Sequence, residues 1–276
     1  MVDLKDTHAI VTGASRGLGV HIARGLAREG VNLTLSARSE GDLKKVTSEL
    51  KEFGINAVFV PADLTIPDQI SNLAQKAEEL LGSVDILVNN AGIEYLSPFH
   101  TIPPEEIERS ISLNLLAHMR LTRALLPGMI ERNKGHIINI SSLAGKTGLP
   151  YHTPYAAAKA GLIQFTHSLR SELYESDVEA SVICPGFVSE DGMFARMEEK
   201  ADAIPAMLKP TTPGKVADAV LKALKKKKAD LIVNTIPVRP SIMLGELMHG
   251  LTPFMHKSSG LTDLAYKLTK KTGKNP

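Results

Sequence analysis

Little in the chain ties it to the cell exterior, to a membrane interior or to nucleic acid. A single cysteine, Cys184, stands among 276 residues, so no intrachain disulfide can form and a reducing compartment suits the protein. No apolar run reaches the length of a transmembrane helix. The polar start, Met1-Val2-Asp3-Leu4-Lys5-Asp6, has no signal-peptide core, so a cytoplasmic protein is expected. The formal net charge is only +2, which makes no case for a nucleic-acid surface. No internal repeat or low-complexity stretch is present. His249 and His256 have no clustered partners, so no metal site is expected. With 43% apolar residues, what remains has the composition of a soluble globular protein, long for one core but normal for one α/β domain.

The first motif opens the chain. His8 to Thr12 is a short apolar strand that runs into Gly13-Ala14-Ser15-Arg16-Gly17-Leu18-Gly19 and then a helical stretch, Val20 to Glu29. Strand, glycine loop and helix in this order form a dinucleotide-binding start. Gly13 permits the tight turn, Gly17 lets a phosphate approach the backbone, and Gly19 lets the helix pack on the sheet. The helix N-terminus offers free N–H groups to a pyrophosphate. A glycine turn without a ligand is the plainer alternative. Val31 to Ser36 is a second strand, followed by Ala37 and Arg38, with no acidic residue to hold the two ribose hydroxyls of NAD. Arg38, with Arg16, can instead pair with a 2′-phosphate. NADP(H) is therefore favoured over NAD(H), the alternative being two solvated arginines. Asn56 to Val60 is a third strand, and Asp63-Leu64 after it either meets an adenine or makes an ordinary turn. Val84 to Val88 leads into Asn89-Asn90-Ala91-Gly92, where small residues allow close backbone approach and the asparagines can tie strand ends together.

The second motif lies in the middle of the chain. His136 to Ile140 looks like a buried parallel strand ending in Ser141-Ser142, and Tyr155-Ala-Ala-Ala-Lys159 follows. On a helix, residues four apart share a face. An ammonium there favours the phenolate and pulls the tyrosine pKa down from about 10. Ser142 beside it can hold a substrate oxygen, which gives a general acid/base site for a carbonyl or alcohol. Taken alone, the pair could be a chance spacing on a helix surface. Glu105 to Arg132 is a long helical pattern with an irregularity expected at Asn114, a poor mid-helix residue. That asparagine either holds a water against Lys159 or is a capping or core residue. Val178 to Cys184 is a sixth strand, ending in Pro185-Gly186-Phe187-Val188. Residues 187–212 suit a substrate-covering segment, or equally a plain amphipathic helix. A helix from Pro213 to Lys228 ends in four lysines, and Leu231 to Val233 is a seventh strand.

The set Thr12 to Gly19, Asp63, Asn89 to Gly92, Asn114, Ser142, Tyr155 to Lys159 and Pro185-Gly186 resembles the short-chain dehydrogenase/reductase family, NADP(H)-preferring type. The resemblance runs from about Lys5 to Val233. It implies a Rossmann-like, doubly wound α/β fold of seven parallel strands flanked by helices. It implies a tetrad of Asn114, Ser142, Tyr155 and Lys159, in which Tyr155 exchanges a proton with the substrate oxygen and Ser142 hydrogen-bonds that oxygen. Lys159 would bind the nicotinamide ribose and Asn114 would support a water relay. Gly13, Ser15, Arg16, Gly17, Leu18, Gly19, Arg38, Asp63, Leu64, Asn90, Ala91, Gly92, Tyr155, Lys159, Pro185, Gly186 and Val188 would form the cofactor site. One departure stands out: Glu190 occupies the place where a threonine is common, with Ser189 next to it.

Residues 1–235 are thus expected to be the NADP(H)-binding and catalytic domain and 236–276 a C-terminal helical extension. Met243, Leu244, Leu247, Met248, Leu251, Phe254 and Met255 give the extension an apolar stripe. It packs on its own domain or a partner subunit, or lies on a membrane surface. The methionines and the apolar 187–209 stretch favour an acyl, steroid-like or lipid-like substrate. A homodimer or homotetramer is the default for the family. The expected activity is hydride transfer between nicotinamide and a ketone or secondary alcohol. The alternative is an NADPH-binding regulatory or scaffold protein with little turnover, motivated by Glu190 and the tail.

Overall fold

The computed structural model describes residues 2–189 and 209–271. Seven strands form one parallel sheet: β1 (His8–Thr12), β2 (Asn32–Ser36), β3 (Ala57–Phe59), β4 (Ile86–Asn89), β5 (Gly135–Ile140), β6 (Val178–Pro185) and β7 (Asp230–Val233). Their order is β3-β2-β1-β4-β5-β6-β7. The chain winds outward from β1 in one direction and then from β4 in the other. The crevice between those strand ends is where such a sheet binds ligands.

Strand residues alternate between two cores because successive side chains point to opposite faces. Ala9 and Val11 join the core under α1 (Leu18–Arg28), α2 (Glu40–Lys51) and α8 (Pro213–Lys226). Ile10 joins the core under α3 (Pro67–Leu81), α5 (Ala117–Glu131) and α7 (Thr153–Glu172). This is why β1 is an unbroken buried run and not an alternating pattern. Helix α1 lies close to α8: a Cβ on Gly25 would sit 3.4 Å from that of Ala217.

The long pattern near 105–132 is broken as expected. Helix α4 (Pro104–Ile111) passes through a turn of π-helix, Ser112–Leu116, before α5 begins. Such turns insert a residue and rotate the following face. Asn114 sits in that turn, fully buried. Of the four lysines ending α8, Lys225 pairs with Glu29 at 2.7 Å and Lys227 lies near Glu179 at 3.4 Å. Lys226, Lys227 and Lys228 are exposed, so that end is largely solvated.

The extension forms α9 (Arg239–Leu247), α10 (Thr252–Ser258) and α11 (Leu261–Lys271), after the short helix α6 (Ala144–Thr147) and the rest of the domain. Leu264 and Leu268 pack with Leu96 and Tyr151, so the extension folds back on its own chain. Among the described residues no helix is long and apolar enough to cross a membrane, and no group of three acidic, histidine or cysteine residues is placed to hold a metal.

Candidate active site

One cleft of about 1460 Å³ runs along the C-terminal edge of the sheet. It exceeds the usual 300–1,000 Å³ of a drug-sized site, enough for a dinucleotide and a second molecule. At one end Gly13 and Gly17 adopt φ of 66° and 62°, a region that favours glycine. A Cβ on Gly13 would lie 2.9 Å from the Ala91 Cα, and one on Gly19 would overlap the Gly13 carbonyl oxygen. Gly19 therefore does its work in packing and does not line the cleft. Ser15, Arg16, Gly17 and Leu18 do line it, as do Arg38, Asp63 and Leu64 across from them. The positive-φ loop leading into the first turn of α1 is a fitting cradle for a pyrophosphate.

Thr12 closes the switch point. Its hydroxyl accepts from the N–H groups of Asn90 (2.9 Å) and Ala91 (3.1 Å), while the Asn90 side chain donates to Thr12 O at 2.9 Å. Asn90 thus ties β1 to β4. Asn89 is structural: buried, it donates to Asn139 Oδ1 at 2.9 Å and to Thr122. Asp63 makes a turn, accepting from the Thr65 N–H and hydroxyl at 3.0 and 2.7 Å. Burial pushes its carboxyl up, but those hydrogen bonds and the charges of Arg38 and Arg109 outweigh it and hold it low. Arg109, also on the cleft wall, was not singled out by its sequence context.

The middle of the cleft gathers three of the four residues around which the second motif is built, Ser142, Tyr155 and Lys159; the fourth, Asn114, does not line it but is fully buried behind Gly92. Tyr155 is 7% exposed on α7, and Lys159, one turn on, is 3% exposed. Ser142 shares the cleft wall with Tyr155 and acts on its hydroxyl; its oxygen accepts the Ala144 N–H at 3.1 Å. Lys159 Nζ donates to Ile140 O at 2.8 Å and stands 5.7 Å from the centre of the Tyr155 ring. Burial pulls the ammonium down to about 8, so at neutral pH it stays mainly charged. Asn114 clamps Ile93 from both sides: Oδ1 accepts its N–H at 3.1 Å and Nδ2 donates to its carbonyl at 2.9 Å.

One expectation is corrected here. Lys159 was expected to pull the tyrosine pKa down; in the structure the hydroxyl is held above its ordinary range. Burial is the main cause, the carboxylate of Glu94 adds to it, and the Ser142 hydrogen bond offsets only part. The tyrosine at rest is therefore firmly protonated.

Pro185, Gly186 and Val188 border the cleft on its β6 side. A Cβ on Gly186 would overlap Asn234 Oδ1. Val188 bridges to Thr211, and Ser189 donates both its N–H (3.0 Å) and its hydroxyl (3.1 Å) to Thr211 O. The two ends of the 187–212 segment therefore meet. Glu190 and the apolar stretch to Leu208 lie outside the described residues.

The far end of the cleft is walled by Tyr95 and Leu149 and by Val238, Ile242, Met255 and Leu261 of the extension. None of these was singled out as a site residue, nor were Glu94 and His152 beside Tyr155. Apolar residues at helical spacing carry no mark of which cavity they face. His152 has one weak signal, its place three residues before the tyrosine.

The chain belongs to the short-chain dehydrogenase family, whose model matches residues 7–202. It is 43% identical over 242 residues to the ketoacyl reductase HetN of Nostoc sp., across 88% of this chain and 83% of that protein. Two solved structures share the fold. An actinorhodin polyketide ketoreductase variant with NADPH is 31% identical, with a TM-score of 0.77 over 82% of this chain and 95% of its own. A metagenomic short-chain oxidoreductase in complex with NADP is 34% identical, with a TM-score of 0.72 over 84% and 98%. The protein is thus an oxidoreductase of a family that uses nicotinamide cofactors.

Proposed function

We propose that the protein is an NADP(H)-dependent oxidoreductase that interconverts a ketone and a secondary alcohol on an apolar acyl, steroid-like or lipid-like substrate. The observation that carries this reading is that Ser142, Tyr155 and the buried Lys159 line the same cleft as the glycine loop, with Lys159 Nζ 5.7 Å from the Tyr155 ring centre. Bound in that cleft, NADP(H) would supply the hydride in reduction and accept it in oxidation. Ser142 holds the substrate oxygen against the Tyr155 hydroxyl, which gives that oxygen its proton. Lys159, fixed by Ile140 O, places a positive charge beside the developing phenolate and would hold the nicotinamide ribose. Asn114 keeps one lone pair of Oδ1 for a relay water; it and Lys159 flank Gly92 together.

The preference for the phosphorylated cofactor rests on Arg16 and Arg38, exposed at the mouth of the adenosine end, and both neighbours named above are NADP(H) complexes. Pro185, Gly186 and Val188 would flank the nicotinamide. The apolar residues of the far wall, Tyr95, Leu149, Val238, Ile242, Met255 and Leu261, support the substrate class, with 187–212 as its covering segment and 236–276 as the extension that completes it.

The same proposal places the protein in the cytoplasm as a homodimer or homotetramer through the exposed faces around Leu116, Met119 and Ile130 and along α7. Peripheral contact with a membrane through the exposed Met243, Leu247 and Phe254 is a separable part of it, removed if liposome flotation is unchanged on deleting 236–276.

The test is NADPH oxidation across a broad carbonyl panel, with wild type and Tyr155→Phe side by side. Turnover is expected in wild type and should fall by about 10²–10⁴ in the variant. Tight NADPH binding with no turnover in either would favour the scaffold reading instead.

A further inference from the structure

Helix α9 has an apolar side that faces away from the protein. Pro240, Met243, Leu244 and Leu247 follow the i, i+3, i+4, i+7 spacing that puts residues on one face. That face points outward: Met243 is 61% exposed, Leu244 44% and Leu247 81%. Ser241, Ile242, Gly245 and Glu246 take the opposite side and line the cleft. Helix α10 repeats the arrangement. Thr252, Met255 and His256 line the cleft, while Phe254 is 71% exposed and shares its side with the exposed Lys257 three residues on. The two helices are close, since a Cβ on Gly245 would lie 3.2 Å from Thr252 Oγ1. A surface helix in water keeps its polar side outward; here the outward side is apolar.

These side chains are also concentrated. Of the fourteen exposed large apolar side chains among the described residues, five, Met243, Leu244, Leu247, Met248 and Phe254, fall within twelve positions. Scattered apolar residues on a surface need no explanation, whereas a group of them does. Five side chains fall well short of the roughly 20–30 residues a side of a stable protein interface, which argues against a second copy as the occupant. Charge points to another. Residues 236–276 carry six basic residues against two acidic ones, whereas residues 1–235 carry 26 against 28. Arg239, which opens α9, and Lys257, near the end of α10, are both exposed and flank the apolar face. Apolar side chains beside basic ones suit the boundary between acyl chains and anionic headgroups.

We propose that the outward face of α9 and α10 seats on an anionic lipid bilayer, and that the substrate end of the cleft receives a membrane-dissolved carbonyl compound from that bilayer. The second half rests on the reading of the cleft as a carbonyl site. Ser241, Glu246 and Ser258 line the cleft and are exposed, so its rim lies on the same two helices as the membrane-facing side chains. A lipid-like molecule leaving the acyl region meets that rim first. Past it stands the apolar wall of Ile242, Met255 and Leu261, so the molecule moves from one apolar surrounding to another.

The membrane-facing residues stand apart from the chemistry. Neither Leu247 nor Phe254 lines the cleft, and neither do Arg239 and Lys257, so all four can be changed without touching the residues that hold substrate or cofactor. Glu246 is the acidic exception. It lies on the cleft side of α9, seven residues and so two turns after Arg239, away from the apolar face. The attraction between exposed basic side chains and headgroups is screened by ions, so the attachment should weaken as salt rises.

The experiment floats the full chain with vesicles of phosphatidylcholine alone and of phosphatidylcholine mixed equally with phosphatidylglycerol. It compares wild type, Leu247→Glu with Phe254→Glu, and Arg239→Gln with Lys257→Gln. It also follows turnover of a water-soluble ketone and of an apolar ketone dissolved in the vesicles, with Tyr155→Phe alongside. Wild type should bind the anionic vesicles at least about tenfold more tightly than the neutral ones, and each double variant should lose at least about tenfold. The glutamate pair should lower kcat/KM for the vesicle-borne ketone by a similar factor and leave the water-soluble one unchanged. No binding by wild type, binding unmoved in both variants, or an unchanged rate on the vesicle-borne ketone would overturn the proposal. So would a dimer, seen by light scattering, that the glutamate pair dissolves while vesicles are ignored, since a second copy then covers the face. Vesicle binding lost in both variants, with turnover indifferent to Tyr155→Phe, would uphold the bilayer seat and defeat the reading of Tyr155 as the proton donor.

Discussion

The two ends of the cleft are built on opposite principles. The glycine-loop end is made mostly of backbone and of neighbours in sequence, a strand, two positive-φ glycines and the first turn of a helix, with Thr12 tied across the sheet to the distant Asn90. The far end is made of side chains from distant segments, Tyr95 and Leu149 on one side and Val238, Ile242, Met255 and Leu261 of the extension on the other, and the extension is held there by a separate cluster of Leu96, Tyr151, Leu264 and Leu268. On the proposed function the first end recognises a ligand whose shape is fixed, and its geometry is written in residues with no side chain or a small one. The second would vary its ligand by exchanging residues on an appended helix without disturbing the sheet.

Replacing both Leu264 and Leu268 by alanine should have the largest effect. Each buried leucine contributes about 2–5 kcal/mol, enough to detach the extension. Substrate KM should rise at least about 30-fold, while NADPH affinity, read by fluorescence titration, changes little. Equal loss at both ends would show that they are not independent. Gly19→Ala should do the reverse. A methyl that overlaps the Gly13 carbonyl forces the loop to shift at a cost of about 1–3 kcal/mol. NADPH binding and thermal stability should both fall, with the substrate preference of the residual activity intact.

Arg38→Ala should act more narrowly still. Loss of a charge-assisted contact to the 2′-phosphate is worth about 1.5–3 kcal/mol, so KM for NADPH should rise about 10- to 100-fold with KM for NADH almost unmoved. An equal rise for both cofactors would remove the arginine from phosphate recognition.

The smallest effect separates the ends by acid. His118, buried under the cofactor end with Nε2 on Ala91 O at 2.9 Å, is pushed down to about 3 by burial and by the charge of Lys159. Its folded pKa lies below the unfolded 6.5, so the neutral form contributes stability present above pH 6.5 and lost as pH falls toward 3. His136, also about 3 through burial, behaves alike. His152 has the opposite sign. Its folded pKa is raised, so its contribution is full below pH 6.5 and is lost as pH rises through the folded value. Denaturant melts between pH 7 and 6 should lose about 0.7 kcal/mol for each of His118 and His136. His118→Gln should flatten that slope and His152→Gln should steepen it; the same change in both would contradict the assignment.

The legibility of the site follows the same division. Gly13, Gly17 and Gly19 could be placed from sequence because only glycine satisfies a local backbone demand, and Tyr155 and Lys159 because helical spacing fixes a shared face. The irregularity at Asn114 was visible since an asparagine competes for backbone bonds in mid-helix, and the π-turn is how the chain resolves it. Strand ends were off by a residue or so: Val31 and Asn56 border their strands without joining them. Glu94, His152 and Arg109 were not legible. An acidic residue after a strand and a histidine in a loop are ordinary surface residues until the fold buries them against each other.

By itself, then, the sequence determined the glycine cradle and the shared helical face of Tyr155 and Lys159, the proposed acid/base pair, because each depends on local geometry and fixed spacing. Only the tertiary structure decided the protonation of that pair. Charge interactions depend on distance and burial, and these arise where the loop after β4, the start of α7 and the returning extension converge on Tyr155.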